Sequence, residues 1–151
     1  MKKNSRISSK GLTILLAVVL FLLIALNWSL FISGPSRIHE EKEAQTIAKI
    51  EKRVEGIQGL RCHVFDYVTY NGYLNDTLYW FDENGDTITK REIINLDYDK
   101  AKEIAKEEYG INCDSIELAY GYNNPCYEIR GDNRLILIDF DTFVRVYERE
   151  I

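Results

Sequence analysis

Residues 77–110 read TLYWFDENGDTITKREIINLDYDKAKEIAKEEYG, and the fold is decided here. Thr77 to Phe81 is β-branched and aromatic, which favours a strand. Asp82-Glu83-Asn84-Gly85 forms a tight turn, because Asn-Gly supplies the positive φ angles that short hairpins need. Asp86 to Ile93 returns as the next strand. The period then changes. Asp97 stands at an N-cap position and Asp99 follows in the first turn, where the helix dipole favours an acid. Ala101, Ile104, Ala105 and Tyr109 recur at helical spacing, and Gly110 stops the helix. A hairpin followed by a helix predicts an α+β chain that divides into two blocks near residue 95.

The flanks give the same elements in the same order. Upstream, Ile47, Ile50, Val54 and Ile57 mark a helix from Arg37 to about Gly56, with Gly34-Pro35 closing what precedes it and Ser36 as its cap. Leu60 to Tyr70 alternates as one strand, with Leu60, Cys62, Val64, Val68 and Tyr70 on one face and Asp66 interrupting. Downstream, Ile116, Leu118, Tyr120 and Tyr122 alternate, followed by strands at Cys126–Arg130, Leu135–Phe140 and Phe143–Tyr147. Ile47-Ala48-Lys49 recurs as Ile104-Ala105-Lys106, an offset of 57 that also relates Glu51 to Glu108, Leu78 to Leu135 and Asp82 to Asp139. Such a repeat points to duplicated units too small to bury their faces alone. The expectation is two α-β-β-β units with antiparallel sheets, residues 36–94 and 95–151.

Leu12 to Ser33 (LTILLAVVLFLLIALNWSLFIS) is 22 residues without a charge. As a helix it is about 33 Å long, enough for a hydrocarbon core of about 30 Å. No small-residue cleavage site or lipobox-like cysteine follows, so residues 12–33 are expected to stay in the bilayer as an anchor. Lys2, Lys3, Arg6 and Lys10 precede it, whereas only Arg37 and Lys42 lie in the first ten residues after it. The positive-inside rule then places residues 1–11 in the cytoplasm and the domain outside the cell membrane.

With four positive charges before residue 37 in a chain of net charge −5, residues 37–151 carry −9. An acidic domain repels nucleic acid and anionic headgroups. Cys62, Cys113 and Cys126 have no metal-ligand spacing, and neither do His39 and His63; a bridge between Cys113 and Cys126 stays open at this level. DENGDT is not a calcium loop, because Ile93 falls where the bidentate acid belongs. Asp139 with Asp141, and Asp82 with Asp86, fit solvated strand ends better than an acid–base pair. GxSxG, HExxH and P-loop motifs are absent. The sequence therefore implies no enzyme, no cofactor and no metal. Ten tyrosines stand out. Tyr70 and Tyr73 flank Asn71-Gly72, read as a turn, and Tyr120 and Tyr122 precede Asn123-Asn124. These four are the candidate protein-binding residues, since tyrosine offers contact area and a hydrogen bond together.

LYWFDENGDTI (residues 78–88), LDYDKAKEIAKEEYG (96–110) and CYEIRG…LILIDFDT (126–142), behind a basic N-terminus and one anchor, resemble the YpmB/TseB-like family of Gram-positive bacteria, with its PepSY-like or cystatin-like units. Phe143 stands where that family usually has a glycine. The resemblance implies a cell-surface regulator of cell-wall elongation that binds a membrane-bound wall-synthesis enzyme, a penicillin-binding protein, without catalysis. Its PepSY-like character also allows an inhibitor or chaperone of a secreted protease.

Overall fold

The computed structural model describes residues 9–28 and 34–151. Two compact units result, residues 1–44 and Gln45–Ile151. In the first, helix α1 (Ser9–Trp28) contains the apolar run Gly11–Trp28, long and apolar enough to cross a membrane, with its side chains exposed. The predicted end of the anchor, residues 29–33, and most of the basic N-terminus lie outside the described residues.

Helix α2 spans Gly34–Arg53 and so starts before Ser36, the expected cap. Pro35 sits in its first turn, where a missing N–H costs nothing. Antiparallel strands β1 (Gln58–Val64), β2 (Val68–Leu74), β3 (Thr77–Phe81) and β4 (Thr87–Glu92) follow in sheet order β1-β2-β3-β4. A 3₁₀ turn (Ile93–Asn95) leads to helix α3 (Tyr98–Glu107), then to β5 (Ser115–Gly121), β6 (Asn124–Gly131), β7 (Arg134–Asp139) and β8 (Arg145–Glu150), ordered β5-β6-β7-β8. The α+β class and the two antiparallel sheets are as read, but each sheet has four strands. Leu60–Tyr70 is a hairpin, closed at Val64↔Val68 by the loop Phe65-Asp66-Tyr67. Its alternation deceived because the three-residue loop keeps Leu60, Cys62, Val68 and Tyr70 on the helix side of the sheet, while Val64 is exposed.

The helices cover equivalent faces. Ile50 of α2 packs on Tyr70 and Phe81, and Ala101 and Ala105 of α3 pack over Tyr127, Ile129, Ile136 and Ile138. The α3 cap is as predicted: the Asp97 carboxylate accepts from Lys100 N at 2.9 Å, and Gly110 takes φ 63° at the other end. Arg134 closes that end by donating to the carbonyls of Tyr109 and Gly110.

Asn71-Gly72 is no turn. It lies within β2, and a Cβ on Gly72 would stand 2.9 Å from Leu60 Cδ2 and 3.0 Å from Gln58 O, so the glycine answers close packing. The turn comes at Asn75-Asp76, with Asn75 at φ 51°. The final strand begins at Arg145, later than expected, because Phe143 adopts φ 60° within the preceding turn.

Candidate interaction surface

The two sheets meet through side chains that reach from one to the other. Asn71 Nδ2 on β2 donates to Leu118 O of β5 at 2.9 Å, and the Trp80 indole on β3 donates to Ala119 O at 3.1 Å. In return Glu128 on β6 reaches β1, where His63 Nε2 lies 2.8 Å from its Oε2. Both groups are buried, and the Arg130 guanidinium engages the other Glu128 oxygen at 2.6 Å. Burial pushes the Glu128 carboxyl up, but hydrogen bonds from His63 and Arg130 outweigh it and hold the group below its ordinary value. His63 Nδ1 has no partner among the described residues. Sequence reading found no metal-ligand spacing for His63 and did not place it in this pair. The available signal was a glutamate within the otherwise apolar run Cys126–Ile129, since a buried charge needs a partner.

At one end of this junction aromatic rings converge. The β1–β2 loop supplies Phe65 and Tyr67, the β5–β6 turn supplies Tyr122, and β8 supplies Tyr147. Phe65 meets Tyr147 edge-to-face at 4.9 Å and Tyr122 at 5.9 Å, while Tyr67 packs edge-to-face on Tyr120 at 6.1 Å. The Tyr67 hydroxyl donates to Tyr122 O at 2.9 Å, and the Tyr120 hydroxyl donates to Asn123 O at 2.9 Å. These bonds hold Tyr122 at φ 52°, a left-handed backbone that bulky residues rarely adopt. Burial, with Tyr120 and the Asp66 charge adding to it, raises the Tyr67 phenol above its ordinary value.

The four predicted tyrosines separate. Tyr70 and Tyr120 are buried, at 3% and 7% exposure, whereas Tyr73 and Tyr122 are open, at 42% and 48%. Tyr120 and Tyr122 belong to the aromatic cluster, Tyr120 as its floor; Tyr70 lies in the core beneath α2. Phe65 and Tyr147 were missed, because nothing in one sequence says that a loop of the first sheet touches the last strand of the second.

Other groups that suggested chemistry have structural work. The Asp82 carboxylate accepts from Asn84 N and Asp86 N, and the Asp139 carboxylate from Thr142 N and Oγ1, Asp141 N and Asn124 Nδ2. Burial raises the Asp139 carboxyl, but these donors outweigh it and leave it below its ordinary value. Asp141 pairs with Arg91 instead. Among the described residues the cysteines form no disulfide; Cys126 is fully buried, and burial pushes its thiol to about 12. A depression beside α3 is lined by Asp97, Asp99, Lys102, Glu103, Lys106 and other charged groups, the solvated face of a single helix.

No protein-family model and no curated protein sequence matches this chain. Among solved structures, the YpmB protein from Bacillus subtilis superposes with a TM-score of 0.60 over 72% of this chain and 96% of its own, at 17% identity. The fold is that of YpmB. At this identity the likeness speaks for the YpmB architecture and leaves side-chain roles to the chain's own geometry. A DUF2874 family protein from Bacteroides uniformis aligns over 71% of this chain and 88% of its own at 16% identity, but its TM-score of 0.36 is too low to define a shared fold.

Proposed function

We propose that this protein is a membrane-anchored, non-catalytic interaction module. Its acidic domain lies outside the cell and docks on a membrane-bound wall-synthesis enzyme, a penicillin-binding protein, to regulate cell-wall elongation. The observation that carries docking is the aromatic seam: Tyr67 and Tyr122 are open to solvent yet locked by ring contacts and a hydroxyl–carbonyl bond. Rigid exposed aromatics lose little entropy on binding, which is why they anchor interfaces. The apolar run Gly11–Trp28 supports the anchor, and the basic residues before it support the orientation. The choice of a wall-synthesis enzyme rests on the YpmB-like architecture and the resemblance in sequence.

Affinity capture from cross-linked cells tests the partner. A penicillin-binding protein recovered with the wild type and reduced at least several-fold with Tyr122→Ala is the expected result. If loss of the protein instead raises extracellular proteolysis without changing cell width, the inhibitor or chaperone reading replaces this one.

A further inference from the structure

The geometry points to a cationic side chain, a lysine or arginine on an exposed segment of the partner protein, as the group that the aromatic seam receives. This deepens the docking reading above and rests on it. Elsewhere on the domain, aromatic faces already carry their own cations: Lys90 Nζ lies 4.7 Å from the Tyr79 ring centre, Lys100 Nζ 4.1 Å from Phe143, and the Arg145 guanidinium 4.6 Å from Tyr109. Among the described residues no lysine or arginine lies over Phe65, Tyr67, Tyr122 or Tyr147. Arg91, whose charge acts on Tyr120, is held by both oxygens of Asp141, at 2.9 and 2.8 Å. The seam also carries an exposed carboxylate: Asp66 sits at the tip of the loop between Phe65 and Tyr67 and is close enough to act on the Tyr67 phenol.

Electron-rich ring faces beside an uncompensated carboxylate attract an ammonium or guanidinium group, both through the ring quadrupole and through charge. The net charge of −9 on residues 37–151 brings such a group in from a distance. Because the rings brace one another edge-to-face, they need no rearrangement to receive it.

The test uses the full chain in lipid nanodiscs with ring-labelled tyrosine, titrated with extended five-residue peptides whose central residue is lysine, arginine, acetyl-lysine or glutamate. Lysine and arginine peptides should shift the Tyr67 and Tyr122 ring signals saturably. Acetyl-lysine, which keeps the length and loses the charge, should bind about tenfold more weakly, and the lysine and arginine peptides should bind Asp66→Asn about threefold more weakly. Equal binding of lysine and acetyl-lysine peptides, or shifts confined to residues outside the seam, overturns cation recognition. A photo-crosslinker at Val64, exposed beside the seam, separates the two levels. Capture of the wall-synthesis enzyme there despite indifferent peptides leaves docking standing and removes only its cationic chemistry; no capture removes both.

Discussion

The central hairpins of the two sheets are the same object built twice, and they differ where the sheets meet. Tyr70↔Phe81 in the first becomes Tyr127↔Ile138 in the second, and Leu74↔Thr77 becomes Gly131↔Arg134, each displaced by 57 residues. The offset slips by one on either flank. The β1–β2 loop has one residue more than the β5–β6 turn, and the β7–β8 turn one more than the β3–β4 turn. That first extra residue belongs to Phe65-Asp66-Tyr67, the loop that builds the seam. Equivalent positions Asn71 and Glu128 both reach into the other sheet's first strand, one as a neutral donor and the other as a buried anion. The hairpins share their pairing, and the contact between the sheets is built where they differ.

The largest effect should come where equivalence is broken most sharply. Leu74 carries a side chain, but a Cβ at its counterpart Gly131 would lie 1.8 Å from Asn112 O. Gly131→Ala should cost about 3 kcal/mol or more of stability in urea unfolding of the detergent-solubilised chain, because backbone has to move. An unchanged midpoint would break the comparison.

The turn glycines come next. Gly85 takes φ 79° and its Cβ would meet Ile50 Cγ1 at 3.1 Å, so Gly85→Ala should cost about 1–3 kcal/mol. In the β7–β8 turn of the second sheet Phe143 holds the left-handed position, stacked on Tyr127 at 5.7 Å and covered by Lys100. Phe143→Ala should cost about 2 kcal/mol by losing the ring and keeping the backbone strain, and Phe143→Gly about 1 kcal/mol less because the strain is relieved. The reverse order of those two variants would show that left-handed strain at this position does not weigh on stability.

Acid sharpens the contrast between Asn71 and Glu128. The Glu128 carboxyl is held below its ordinary value of 4.5, so its stabilisation is complete above that pH and is lost as pH falls through the depressed value. Glu128→Gln should flatten this limb of a stability–pH curve, while Asn71→Ala should shift the whole curve without changing its shape. The smallest effect concerns thiols. Cys126, fully buried and raised to about 12, should resist alkylation of the native chain at pH 8, and labelling as fast as in urea would contradict that environment.

The sequence carried the β3–β4 hairpin and the α3 caps because each rests on local rules: Asp97 caps its own helix, and Asn84-Gly85 closes its own turn, whereas Leu60–Tyr70 was read as one strand and is a hairpin. It misplaced what depends on distant packing. Asn71-Gly72 has turn composition but lies within a strand, because Leu60 and Gln58 crowd it. Tyr70 and Tyr73 looked alike at a loop tip; strand parity sends Tyr70 under α2 and Tyr73 to the surface. The seam was half legible, through Tyr120 and Tyr122. Phe65 and Tyr147 enter it only once the sheets are assembled.

The most direct test of the account is a photo-crosslinker at Tyr122 in intact cells, compared with one at Lys106 on the solvated face of α3. The account predicts capture of a membrane-bound wall-synthesis enzyme from Tyr122 and not from Lys106. Capture of cytosolic proteins alone, or equal capture from both positions, would contradict it.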